Sequence, residues 1–369
     1  MKDVYHIVSQ LLKVSLGNAA TIDYFPSEVN WREVRTLAAH QGVLGVCFDA
    51  FCHLSDSARP DRQSFLKWMG SFLLMEDRYQ EYENAICRLS DIAQALGMRM
   101  MILKGYGCSL NYPRPKFRPC GDIDIFLMDK AGNHTAGLAE HFESNLHERY
   151  GIRVESDNGH HTQFRFEKFL IENHSKILPL DHKSNAYLNG LLENMAASCQ
   201  CVSVGNTDIW LPSVKFNSIH LLRHMASDFA SLRTSLRNVL DWSTFVASQN
   251  VDWDFVHTVA HKSNMNHFLD AINGICVHYL GYPADKFPIE ERDDRLESRV
   301  LNTILTCTDT SDAPLGQLSL RERLSYDLHK TRRLWNNRWK YRIVYNESLL
   351  ESILWKAKKR LKMEYNHMD

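Results

Sequence analysis

The sequence predicts an α+β protein: a small mixed β-sheet core set between an N-terminal and a C-terminal helical lobe. Three observations carry that prediction. The N-terminal region repeats apolar residues at helical spacing, beginning with Val4, Ile7, Val8, Leu11 and Leu12. Short apolar or alternating runs, each the size of a strand, then cluster between Met98 and Leu211. From Val214 the helical period returns, with Ile219, Leu222 and Met225 on one face and Leu232, Leu236, Val239, Leu240 and Phe245 on another. The expected divisions are a helical region over 1–97, an α/β core over 98–212 and a helical lobe with a basic tail over 213–369.

Each element has a local reason. Trp31 to Phe51 and Phe65 to Leu96 read as helices, parted by the polar stretch Ser55 to Asp61, and Gly97 closes the second. Met98 to Leu103 is a strand. Lys104-Gly105-Tyr106-Gly107 follows, then a short amphipathic piece, Cys108 to Tyr112, and a basic, proline-rich loop, Pro113 to Pro119. That loop leads into a second strand, Gly121 to Leu127. Ala131 to Arg149 reads as a helix, and Ile152 to Glu155, His161 to Glu167, Phe169 to His174 and Thr207 to Leu211 as strands. Asp252 to Asn264 and Phe268 to Leu280 continue the helical series up to a polar break, Tyr282 to Asp294.

Bulk properties narrow the setting. The chain has 369 residues, with 43 Lys and Arg against 44 Asp and Glu, so its net charge does not call for nucleic acid. No apolar run is long enough to span a bilayer, and the N-terminus lacks the basic-then-apolar layout of a signal peptide. Nine cysteines without C-x-x-C spacing read as reduced thiols, which sets the expected location in the cytoplasm.

The chemistry begins at Asp122-Ile123-Asp124. Side chains alternate along a strand, so the two carboxylates share a face while Ile123 and Ile125 point into a core. Adjacent carboxylates repel unless a cation lies between them, and oxygen-loving Mg²⁺ is the usual occupant, held together with substrate phosphates. Lys104-Gly105 stands where a strand turns into a helix and lets phosphate approach backbone N–H groups. Arg118, four residues before Asp122, offers a guanidinium to a triphosphate. Glu172, on a later strand, is a third carboxylate and would complete a two-metal site.

This assembly resembles the nucleotidyltransferase superfamily whose best-known member is DNA polymerase β. More narrowly it is similar to a bacterial family of uncharacterised nucleotidyltransferases. The resemblance covers roughly residues 95 to 250 and rests on Leu103-Lys104-Gly105, on Tyr112-Pro113-x-Pro115-x-x-Arg118-x-x-Gly121-Asp122-Ile123-Asp124, on Ile171-Glu172-x-His174 and on Leu236-Arg237-x-x-x-Asp241-Trp242. It implies that Asp122, Asp124 and Glu172 are catalytic and bind metal, two Mg²⁺ ions with Mn²⁺ as the alternative. It implies that Lys104, Gly105, Arg118 and Gly121 meet a nucleoside triphosphate, ATP among them, and that His224, Arg237 and Asp241 frame an acceptor pocket. The usual Gly-Ser turn is Lys-Gly here, which separates the phosphate contacts from the family pattern. The implied reaction moves a nucleoside monophosphate to a hydroxyl or phosphate acceptor and releases pyrophosphate. The acceptor is left open among a small molecule, a sugar, a peptide and a macromolecule.

Rival readings stand beside this one. A metal-dependent glycosyltransferase also uses Asp-x-Asp, although that fold places a nucleotide-binding α/β unit ahead of the motif. A toxin-like nucleotidyltransferase acting on tRNA or protein suits the basic tail. A non-enzymatic binding module would survive Asp122→Asn and Glu172→Gln. Simpler roles compete residue by residue. His160 and His161 can be a polar strand start, and His220/His224 and His257/His261 are i, i+4 pairs without the H-E-x-x-H pattern. Arg237 and Asp241 can form an intrahelical ion pair. The tail groups Arg332, Arg333, Arg338, Lys340 and Arg342, then Lys356, Lys358, Lys359, Arg360 and Lys362, among Trp335, Trp339, Tyr341, Tyr345 and Trp355. It suits nucleic acid, an anionic membrane surface or packing on the lobe.

Overall fold

The computed structural model describes residues 2–22, 24–25, 28–157, 161–180, 182–231, 233–307, 331–332, 335–345 and 347–355. His160, Leu232, Arg333 and the tail block Lys356 to Lys362 lie outside the described residues. Helix α1 spans Lys2–Ser15 and buries Ile7, Val8, Leu11 and Leu12. The stretch read as one helix from Trp31 divides into α2 (Trp31–His40) and α3 (Leu44–Asp49). Gly42 makes the division, because it adopts φ 65° and helical backbone cannot continue through it. Helix α4 runs from Arg62 to Ala95, capped by the Asp61 carboxylate on the Ser64 N–H and hydroxyl, and Gly97 ends it at φ 75°.

Strand β1 (Met98–Ile102) leads through the short helix α5 (Tyr106–Ser109) and the loop to β2 (Ile123–Asp129). Helix α6 (Ala136–Tyr150) begins later than the sequence period suggests. The Asp129 carboxylate accepts the backbone N–H groups of Ala131 and Asn133, and this holds the intervening chain in a turn. Strands β3 (Val154–Asp157), β4 (His161–Phe166) and β5 (Phe169–His174) follow.

Two elements go beyond the sequence reading: helix α7 (Lys183–Ala196) and strand β6 (Gln200–Val204). The buried face of α7 carries Asn185 and Asn189 among Leu188, Leu192 and Ala196. Asn189 bonds both the N–H and the carbonyl of Leu178, and Asn185 bonds the Pro179 carbonyl, so these amides sit inside without an unmet partner. They also interrupt the apolar stripe that would announce the helix. Strand β7 (Thr207–Leu211) completes a mixed seven-stranded sheet in the order β3-β4-β5-β2-β1-β7-β6. Strand β2 pairs antiparallel with β1 and parallel with β5, placing Asp124 opposite Glu172.

The two faces of the sheet serve different cores. Met100, Ile102, Ile123, Ile125 and Leu127 pack with the C-terminal part of α4 and with α6. Met101, Leu103, Phe126 and Met128 join a larger core in which the N-terminal helices meet α8 (Val214–Ala230), α9 (Leu236–Ser248), α10 (Trp253–Lys262), α11 (Asn266–His278) and α12 (Asp294–Leu305). Helix α13 (Arg338–Tyr345) belongs to the basic tail. Its Lys340 is buried and donates to the Phe229 carbonyl at 3.1 Å, and Tyr345 stacks on His182 with ring centroids 3.5 Å apart. Part of the first basic block therefore packs on the lobe. Among the described residues no helix is long and apolar enough to cross a membrane.

Candidate functional site

The sheet register creates the site. Asp124 of β2 and Glu172 of β5 are opposite one another, and β4 adds Gln163 opposite Glu172 and His161 opposite His174. These side chains line a cavity of about 650 Å³ between the sheet and helices α8 and α9. The residues to which the resemblance assigns metal, nucleotide or acceptor contacts all border it: Lys104, Gly105, Arg118, Gly121, Asp122, Asp124, Glu172, His224, Arg237 and Asp241.

Asp124 is almost fully buried. Its Oδ1 lies 3.1 Å from Lys104 Nζ and 3.1 Å from His174 Nε2. Its Oδ2 is buried with no hydrogen-bond partner. Burial alone would raise the Asp124 pKa, but Lys104 and His174 hold it far below the usual carboxylate range. Glu172 goes the other way: burial, then the charges of Asp124 and Asp122, push it up. Gln163 donates to Glu172 Oε1 at 3.1 Å. Asp122 lies just before β2, exposed at the cavity wall, and its carbonyl accepts from the Tyr82 hydroxyl at 2.8 Å.

Lys104 joins the sheet to α8. Its ammonium has no acceptor capacity, so it donates to His224 Nε2 at 2.7 Å. That contact leaves the proton of a neutral His224 on Nδ1, which faces Asp228 Oδ2 at 3.2 Å. Burial would lower the Lys104 pKa, yet Asp124, Asp122 and Asp228 hold it above its ordinary value. Asp228 is held at about 2: burial would raise it, but His224, Lys104 and Arg233 together outweigh burial. His220 is buried on the same helix, and burial first, with the Lys104 charge nearby, keeps it far below the usual histidine range.

A second carboxylate centre closes the cavity. Asp241 accepts from Arg118 Nε at 2.7 Å and Nη2 at 2.9 Å, and from the Tyr112 hydroxyl at 2.7 Å. Arg118 is buried, and its Nη1 donates to the Pro119 carbonyl at 3.2 Å. The pair ties the proline-rich loop to α9. Arg237 lines the cavity beside it, with its Nε buried and lacking a hydrogen-bond partner among the described residues. Gly105 adopts φ 63°, and a Cβ there would collide with the Tyr82 hydroxyl.

Asp124, Glu172 and His174 each offer an atom, all within 4.8 Å of one another. The unpartnered Asp124 Oδ2 and the raised pKa of Glu172 both mark negative charge that a divalent cation would relieve, so the residues fit one. An imidazole in the set is softer than an all-oxygen Mg²⁺ site and suits Mn²⁺ as well. His174 stands in the sequence motif Ile171-Glu172-x-His174 but was not placed at the candidate cation site from the sequence, although its i+2 spacing from Glu172 on a strand gives the same signal that joins Asp122 to Asp124. Asp228 was missed too, and its signal was the i+4 spacing from His224. The other pair, His257 and His261, lies elsewhere, at 3.1 and 2.7 Å from Glu290.

The fold and this cavity define a protein built around one polar, carboxylate-rich cleft. Residues 27–281 match the model of a family described as uncharacterised nucleotidyltransferase, and the chain belongs to that family. Among solved structures it is similar to an antigenic nucleotidyltransferase-like protein from Paracoccidioides brasiliensis, at 12% identity over 49% of this chain and 87% of that one, with a TM-score of 0.33. That likeness is too loose to carry an argument. None of the curated proteins matches the chain.

Proposed function

We propose that this protein is a cytoplasmic, divalent-metal-dependent nucleotidyltransferase of the polymerase β-like superfamily. It transfers a nucleoside monophosphate from a triphosphate to a hydroxyl or phosphate acceptor. The observation that carries this reading is the convergence of Asp122, Asp124, Glu172, Lys104 and Arg237, from four separate segments, on one cavity. Asp124 and Glu172, with Asp122 and His174 beside them, would hold Mg²⁺ or Mn²⁺, which when bound supplies charge stabilisation at the phosphoryl oxygens. The acceptor oxygen attacks the α-phosphorus, the bond to the β-phosphate breaks, and pyrophosphate leaves. Where Glu172 does not ligate the ion, its carboxylate on the cavity wall would take the acceptor proton. Lys104 and the open Nε of Arg237 meet the anionic groups, while Arg118, committed to Asp241, supports the loop beside the nucleotide.

The test is incubation with each α-³²P-labelled nucleoside triphosphate and Mg²⁺ or Mn²⁺, using purified protein and cell extract, with Asp122→Asn in parallel. Expected are labelled product and released pyrophosphate, both lost in the variant. Unfolding temperature provides a second readout. Mn²⁺ should raise it in the wild type and not in Glu172→Gln. Transfer of a sugar rather than a nucleotide, or activity retained in Asp122→Asn, would overturn the reading.

A further inference from the structure

The C-terminal segment carries a feature that the catalytic cavity does not use. Arg299, Arg338 and Arg342 surround a second cavity of about 380 Å³, with Trp339 and Leu349 in its wall. No carboxylate lines it among the described residues. Arg299 stacks over Trp339 at 3.8 Å from the ring centroid, and Arg338 over Trp335 at 4.6 Å. Three guanidinium groups thus converge on a wall without a carboxylate; Arg338 also donates to the Trp335 carbonyl at 2.9 Å and the Glu351 charge acts on Arg342, which leaves a net positive cavity suited to anionic partners.

Beside that cavity the chain is apolar and exposed. In the helical turns after Ser348, Leu349 and Ser352 face inward, while Leu350, Ile353 and Leu354 are 60%, 49% and 68% exposed. Their i, i+3, i+4 spacing makes them one stripe. Trp335, under Arg338, is 52% exposed. Glu351, on the same helix, caps it by accepting the Ser348 N–H at 2.6 Å. In sequence, Lys356, Lys358, Lys359, Arg360 and Lys362 come next.

We propose that this face docks on an anionic membrane surface: phosphate headgroups enter the arginine cavity while Leu350, Ile353, Leu354 and Trp335 insert among the acyl chains at the interface. Cations flanking an exposed apolar stripe, with an aromatic at the boundary, are what such a surface selects. Nucleic acid is the poorer fit. One face of Trp335 and one of Trp339 are already covered by guanidinium groups, and a stripe of leucine and isoleucine offers nothing to sugar or phosphate. The proposal does not depend on the catalytic reading.

The experiment is flotation of the full-length protein with vesicles of phosphatidylcholine alone or mixed with phosphatidylglycerol, across a salt series. Expected is binding to the mixed vesicles only. Arg338→Gln and Arg342→Gln should each weaken it about five-fold at low salt. Leu350→Ser and Leu354→Ser should weaken it at low and high salt alike. None of these four substitutions should alter the unfolding temperature appreciably. Three results would overturn the proposal. One is absence of binding to anionic vesicles. Another is binding untouched by the leucine substitutions and fully competed by an RNA oligonucleotide. The last is self-association in sedimentation that Leu354→Ser abolishes, which would assign the stripe to a second copy of the chain.

Discussion

Two buried aspartates border the same cavity and are treated differently. Asp241 has both oxygens engaged, by a bidentate guanidinium and a phenol. Asp124 has Lys104 and His174 on one oxygen and nothing on the other. A saturated carboxylate gains little from a further ligand and serves as a joint between loop and helix. An unsaturated one retains a desolvation cost that only an incoming cation or donor removes. The contrast teaches that burial and an aspartate motif do not alone leave a carboxylate open to a ligand; an unmet oxygen facing the cavity does.

The largest expected effect separates these roles by activity. Asp124→Asn should lower turnover on the order of 10³-fold or more, since a ligand to the charge-stabilising ion is lost. Steady-state rates with saturating Mn²⁺ measure it. Asp124→Asn should also destabilise the fold, because Lys104 loses its ion-pair partner, whereas the exposed Asp122 can be changed without that loss. The two carboxylates of the motif, alike in sequence, are therefore unequal in structure. An Asp124→Asn enzyme within ten-fold of wild type would erase the distinction from Asp241.

Next comes the joint itself. Arg118→Ala strands Asp241 in a buried position, and denaturant unfolding should show a loss of about 3–5 kcal/mol. Replacing both partners, Arg118→Met with Asp241→Leu, should recover most of that loss, because no charge is left without a partner. If the double variant is as unstable as the single one, the pair does more than satisfy itself.

These two centres also differ in how far the sequence disclosed them. That Asp122, Asp124 and Glu172 border one cavity was legible because strand alternation is local and repulsion between carboxylates has few remedies. The α+β layering was legible because periodicity changes at Met98 and again at Val214. The engagement of Arg118 with Asp241 was not, since the partners are 123 residues apart and nothing local tells a guanidinium to prefer a helix over a phosphate. Helix α7 escaped for a related reason: Asn185 and Asn189 look like surface residues until Pro179 and Leu178 are folded against them. The same distance hid the contact of Lys104 with His224, 120 residues away, and so made that lysine read as a phosphate ligand alone.

Asp228 is the intermediate case and gives the smallest effect. Its Oδ2 meets His224 at 3.2 Å and the Asn238 amide at 3.2 Å, while Arg233 stands 3.8 Å from Oδ1. Its pKa is depressed from 3.8 to about 2. A depressed carboxylate contributes stability that is complete above its unfolded pKa and disappears as pH falls through the folded one. The contribution is roughly 2 kcal/mol by the pKa difference, present at pH 6 and fading between about pH 4 and pH 2. Urea unfolding of wild type and Asp228→Asn should therefore differ at pH 6, differ less at about pH 3 and converge only toward about pH 1, below the folded pKa. The charge on Asp228 acts on Lys104, so the variant should also loosen the lysine while leaving Asp124, Glu172 and His174 in place. A constant gap at all pH values would mean that Asp228 contributes through packing, and would move it to the side of Asp241 in the comparison.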